Sequence, residues 1–120
     1  MNMNIINYTT YDSNTMTLKN SKVTYCVIDG IAVNDNETTW NQIVRKLLID
    51  YRGVYDPNNY TIINMTREEY MLVRNPQTIT LLYDNDYFSS VSSAQALKLI
   101  IQLKEECNFD MILCIRVIST

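Results

Sequence analysis

The sequence predicts an α+β fold: a mostly antiparallel sheet with two main helices, in a single α+β domain over residues 1–120. Three observations predict it. Short segments rich in β-branched and aromatic residues alternate with turn residues, two amphipathic segments begin with helix-capping spacings, and no linker, repeat or low-complexity tract divides the 120 residues. Strands and helices mixed in this way favour the α+β class.

The N-terminal segments predict strands. Residues 4–11 and 15–28 carry alternating, β-branched and aromatic side chains, and Asp12-Ser13-Asn14 supplies a turn between them. Asp29-Gly30 predicts a tight hairpin turn, because glycine tolerates the positive φ that such a turn requires.

The segment 38-TTWNQIVRKLLIDYRG-53 predicts the first main helix. Thr39 and Gln42 have the spacing of a capping box, and Gly53 suits the left-handed position just past a helix end. Trp40, in the first turn, is expected to anchor the core rather than to hold a ligand. The apolar stripe of this helix consists of Ile43, Val44, Leu47, Leu48 and Tyr51.

The C-terminal half predicts a short helix and a second main helix between strands. Thr66 and Glu69 cap a short helix that ends by Leu72, Arg74-Asn75-Pro76 breaks it, and Ser92 with Gln95 caps a helix over residues 93–107. The side of that helix expected to be apolar carries Ala94, Leu97, Ile100, Ile101 and Lys104. The predicted strands are residues 60–65, 78–83, 87–91 and 111–119, and the last, apolar on both faces, is expected to be central and covered on both sides.

Composition excludes several classes of function. The chain has no His, which removes Ser-His and Cys-His nucleophile pairs, and it has no Gly-rich phosphate loop. The net charge of −3 lacks the basic footprint of nucleic-acid binders, so nucleic acid is not the expected partner. Cys26, Cys107 and Cys114 form no CxxC pair and are expected to be reduced thiols. We therefore expect no enzyme, no cofactor and no metal site.

We also expect the protein to be cytoplasmic. The N-terminus lacks the basic and apolar regions of a signal peptide, and no apolar run approaches the length of about 20 residues that a membrane span needs.

Six residues are candidates for ligand binding: Tyr87, Phe88, Ser93, Arg116, Arg74 and Asn75. Consecutive strand residues point to opposite faces, so one ring of the Tyr87–Phe88 pair is expected in the core and the other partly exposed, where it could stack a base. Ser93 follows the Ser92 cap at a helix N-terminus, which attracts anions. Arg116 lies on an apolar strand face and could clamp phosphate, with Arg74 and Asn75 joining from a loop. The alternative is a snorkelling or paired arginine, with the serines and rings serving as cap and core.

Three short pieces carry a resemblance: Thr39-Trp40, Val73-Arg74-Asn75-Pro76, and Tyr87-Phe88 leading to Ser93-Ala94. From Gly30 onward they resemble a small domain at the ends of phage and restriction-associated proteins. The Asn of that pattern just before the second helix is replaced here by Val91 or Ser92. In size and α+β character the chain is also similar to the Thoeris anti-defence proteins, which sequester a cyclic ADP-ribose signal made by the host.

These resemblances imply a phage-type counter-defence protein acting in the host cytoplasm. It would sequester a small nucleotide-derived immune signal as a sponge, without catalysis, and would form a homo-oligomer whose subunits share the site. One alternative is an anti-CRISPR-type inhibitor that binds a host nuclease. The other is a restriction-associated DNA-binding accessory domain, against which the negative charge counts.

Overall fold

The computed structural model describes residues 2–6, 21–73 and 78–117, and of residues 2–6 and 116–117 it describes the backbone alone. The predicted turn at 12–14 and helix break at 74–76 lie outside these ranges. The described strands are β1 (Asn2–Ile6), β2 (Lys22–Ile28), β3 (Ile31–Ala32), β4 (Ile62–Asn64), β5 (Ile79–Tyr83), β6 (Asp86–Ser89) and β7 (Met111–Val117). The described helices are α1 (Trp40–Asp50), α2 (Arg67–Met71) and α3 (Ser93–Cys107), and Pro57–Asn59 form a 3₁₀ turn.

The strands form two antiparallel sheets, with orders β1-β7-β2-β3 and β4-β6-β5. Together with the main helices α1 and α3 they confirm the predicted α+β class. Strand β7 is central, as predicted. The prediction that both of its faces are covered is wrong at Ile112, which is 51% exposed. Its neighbours Leu113 and Ile115 are fully buried, because the core lies against one face of this sheet.

Local capping signals determine where the elements begin and turn. The Thr39 side chain accepts a hydrogen bond from the backbone N–H of Gln42, and the Gln42 side chain accepts one from the backbone N–H of Thr39. These two bonds form the predicted capping box of α1. Thr66 and Glu69 form the same arrangement on α2. The predicted Asp29-Gly30 hairpin joins β2 to β3, with φ of 49° and 81° at the two residues.

One hydrophobic core joins both main helices to both sheets. Helix α1 buries four residues of its predicted stripe, Ile43, Val44, Leu47 and Leu48, while Tyr51, its C-cap, is half-buried. Trp40 is buried as well, and its indole N–H donates to Ser21 Oγ at 2.7 Å. The predicted stripe of α3 is only partly right, since Ala94 is exposed and Ile101 and Lys104 are half-buried. Helix α3 packs against α1 through a broader face, and its buried residues are Ala96, Leu97, Leu99, Ile100 and Leu103. No helix in the described ranges combines the length and apolarity that crossing a membrane requires.

Two tyrosines fasten the loop after α1 to the rest of the fold. The Tyr55 hydroxyl donates to Leu48 O at 2.7 Å and lies 2.8 Å from the Tyr83 hydroxyl. The Tyr60 hydroxyl donates to Glu106 Oε1 at 2.8 Å, and the other carboxylate oxygen accepts from the backbone amide of Asp56. Glu106 is half-buried and holds this loop to α3.

This network predicts a loss of stability at alkaline pH. Burial, assisted by the bond to Tyr83, raises the pKa of Tyr55 above its ordinary 10.0. The unfolded chain therefore releases this proton at a lower pH than the folded chain does. The stability that the raised pKa of Tyr55 contributes is fully present below pH 10.0 and is lost as the pH rises above that value. The free energy of unfolding should therefore fall above pH 10.0.

Urea unfolding across a pH series from neutral to strongly alkaline measures this dependence. The Tyr55→Phe variant should show a shallower alkaline fall than the wild type, and Tyr25→Phe, at a half-exposed ring outside the network, should match the wild type. An alkaline slope unchanged in Tyr55→Phe would contradict the assignment.

Candidate functional site

Tyr87 and Phe88 are both buried, at 5% and 1% exposure. They point to opposite faces of the β4-β6-β5 sheet, as predicted, with Phe88 on the core side. The expectation that one ring stays partly exposed is wrong, because α2 covers the outer face: the ring of Tyr70 stacks on that of Tyr87, with centroids 4.6 Å apart and planes at 18°. Neither ring therefore presents the open face that stacking a base requires.

Of the other candidates from the sequence, the structure describes Ser93 and the backbone of Arg116. Ser93 is the first residue of α3 and is half-buried beside Ser92, whose Oγ accepts from the Gln95 amide at 3.2 Å. The backbone of Arg116 lies in β7, paired with Met3 and Lys22, and its side chain lies outside what the structure describes. Arg74 and Asn75 fall in the undescribed range 74–77, so their part in a site stays a prediction.

A different concave region lies along the solvent-facing side of α1, and we call it the α1 groove. It consists of two cavities, of about 360 Å³ and about 210 Å³, that are open to solvent and share Gln42 and Arg45 in their walls. The larger is within the usual range for small-molecule sites. Its other lining residues are Val33, Asn34, Thr38, Ile43, Lys46, Ile49 and Asp50. The smaller is also lined by Thr39, Asn41, Thr80, Phe88 and Ser90.

Arg45 is the charged group common to both cavities. Its Nε and Nη2 atoms donate to Leu81 O at 3.1 and 2.7 Å, which fixes the plane of the guanidinium. These bonds engage two of its five N–H donors. Within residues 21–73 and 78–115, where side chains are described, no carboxylate forms an ion pair with Arg45, whereas the neighbouring Lys46 pairs with Asp50 at 3.4 Å. A held guanidinium with donors to spare suits an anion, above all the paired oxygens of a phosphate.

Asn41 shapes the smaller cavity by joining the first turn of α1 to the segment that leads into α3. Its Nδ2 donates to Val91 O at 2.8 Å, and its Oδ1 accepts from the Val91 amide at 2.8 Å. This two-point bond holds Ser90 and Val91 beside the start of α1. Sequence reasoning missed it because its partners are 50 residues apart, beyond the reach of any local pattern.

Arg45 was also missed from the sequence, for a different reason. It falls on the polar side of an amphipathic helix, where an arginine is ordinary. Its contact with Leu81, 36 residues away, distinguishes it from other surface cations only once the fold is known.

Comparison of the chain with models of protein families, with curated proteins and with solved structures finds no match. The resemblances drawn from short sequence pieces therefore stay predictions. The function is inferred from the groove and its residues.

The Asn41→Ala substitution is expected to destabilise the protein by about 1–3 kcal/mol, because it leaves the amide and carbonyl of half-buried Val91 without their partner. Urea unfolding measures the change. Asn59→Ala is the matched control, since that exposed residue contributes its backbone carbonyl, not its amide side chain, to a bond with Gln102, and its effect should stay within about 0.5 kcal/mol. Equal stability of the two variants would show that the Val91 bonds are dispensable.

Proposed function

We propose that this protein is a non-catalytic binding protein that sequesters a small, phosphate-bearing nucleotide signal in the α1 groove. The observation that carries the proposal is Arg45, a cation that lines both cavities and has no ion-pair partner among the described residues. In the cell, the protein would act as a phage-type counter-defence sponge in the host cytoplasm, and the signal would be of the cyclic ADP-ribose kind.

The lining of the two cavities supports a ligand with a charged centre and less charged ends. A pyrophosphate at Arg45 would be held by paired hydrogen bonds and charge. The larger cavity offers apolar contact from Val33, Ile43 and Ile49 for a base or ribose face. The smaller offers the hydroxyls of Thr39, Thr80 and Ser90 as hydrogen-bond partners for sugar hydroxyls.

In this proposal, the two rings expected from the sequence to bind the ligand have different roles. Tyr87 contributes stability rather than base stacking, and Phe88 contributes an apolar wall of the smaller cavity. The groove is open to solvent, and in the proposed homo-oligomer a second subunit placed over it would complete the enclosure.

Titration calorimetry with a panel of cyclic nucleotides and ADP-ribose derivatives, including cyclic ADP-ribose, tests the proposal. We expect binding heat from at least one member of the panel. Replacing Arg45 by Ala should weaken that binding by roughly tenfold to a hundredfold, the effect of losing a hydrogen bond to a charged group worth about 1.5–3 kcal/mol. Arg45→Lys should give an intermediate affinity, because it keeps the charge and loses the planar fork.

Arg52→Ala is the matched control for the loss of a positive charge. Arg52 pairs with Asp84 and stacks over the Tyr83 ring at 4.0 Å, outside the walls of both cavities, so its removal should leave the affinity unchanged. Circular dichroism confirms that each variant is folded. No heat from any member of the panel, or equal affinity in Arg45→Ala and the wild type, would overturn the proposal.

A further inference from the structure

Strand β5 is an edge strand whose outward carbonyls are both occupied by side chains. The sheet order β4-β6-β5 leaves β5 with β6 as its strand partner in the part of the chain that is described. Thr78 O accepts from the Ser90 amide at 2.8 Å, which turns residue 78 toward the β6 side. Along an antiparallel edge the backbone groups alternate in direction, so Ile79 and Leu81 direct their carbonyls away from β6. These are the two carbonyls that would pair with a further strand.

The two side chains reach this edge from opposite faces of the sheet. Arg45 comes from α1 on the core side and donates to Leu81 O at 3.1 and 2.7 Å. Tyr70 comes from α2 on the outer side, where its ring stacks on Tyr87, and its hydroxyl donates to Ile79 O at 3.2 Å. A strand approaching β5 therefore meets an arginine and a tyrosine where it would need free acceptors.

The strand behind these side chains has the composition of a sequence that pairs with itself. Residues 78–83, TITLLY, carry no charge and no proline and consist of β-branched, leucine and aromatic residues. Uncharged segments of this kind with high β-propensity are those that add to exposed edges, and natural proteins protect such edges with charged side chains or covering elements. Leu81, 47% exposed, adds an apolar side chain beside the edge.

We propose that β5 is a latent self-association edge, and that Arg45 and Tyr70 hold it closed against β5 of a second copy of this chain. A second copy fits because two identical uncharged strands can pair antiparallel about a two-fold axis, with Ile79 and Leu81 of each strand exchanging hydrogen bonds and no like charges meeting. The inference concerns the strand edge and does not depend on the ligand proposed for the groove.

The test is the oligomeric state of an Arg45→Ala, Tyr70→Phe double variant, measured by size exclusion with light scattering beside the wild type at equal concentration. We expect the double variant to form assemblies of larger mass than the wild type at the same concentration, whatever the mass of the wild type, and each single variant to show a smaller increase. Tyr70→Phe keeps the ring that stacks on Tyr87 and removes the hydroxyl alone, so it reports on the edge even if the double variant unfolds.

Two further variants separate edge pairing from general damage. Adding Leu81→Lys to the double variant places a charge on the edge and should restore the wild-type mass. The double substitution Arg52→Ala, Tyr25→Phe removes the same chemical groups elsewhere and should leave the mass unchanged. The proposal is overturned if folded Tyr70→Phe and the folded double variant keep the wild-type mass, or if association persists in the presence of Leu81→Lys.

Discussion

The packing of α1 into the space between the two sheets is the interaction on which the rest of the structure depends. Val44, Leu47 and Leu48 are fully buried, and the helix contacts β2 in one sheet, β5 in the other, and α3. Burying each such side chain contributes about 1.5–3 kcal/mol. Because one helix is held on so many sides, its remaining face has a fixed orientation. That face presents Asn41, Gln42 and Arg45 at defined positions along the groove.

Features determined by a few neighbouring residues could be predicted from the sequence. The capping boxes at Thr39 and Thr66 and the Asp29-Gly30 turn are local, because each consists of groups within four residues of one another. The α+β class followed from the order of such elements. The exposure of Ile112 and the burial of Tyr87 could not be predicted, since each depends on which element covers a sheet face, and the sequence pattern of the strand is the same in either case.

The candidate site likewise depends on contacts between distant residues, which a sequence pattern does not reveal. Aromatic residues and serines at a strand–helix junction attract attention in a sequence because their chemistry suits nucleotides, yet at this junction α2 and the core cover both rings. The groove depends on contacts between residues far apart in the chain, Asn41 with Val91 and Arg45 with Leu81. Its residue types are ordinary for a helix surface, and only their spatial partners distinguish them.

Arg45 belongs both to the groove and to the edge of β5, and this limits how the protein can change. A lineage under selection for a different ligand would ordinarily alter the cation at the centre of its site first. If the groove binds a ligand and β5 is a latent edge, as proposed, that substitution would also unmask an uncharged strand, and adaptation of the groove would be coupled to solubility. Changes in specificity would be easier to reach through a residue that lines only one cavity, such as Thr80, and directed evolution of this surface should leave the arginine in place.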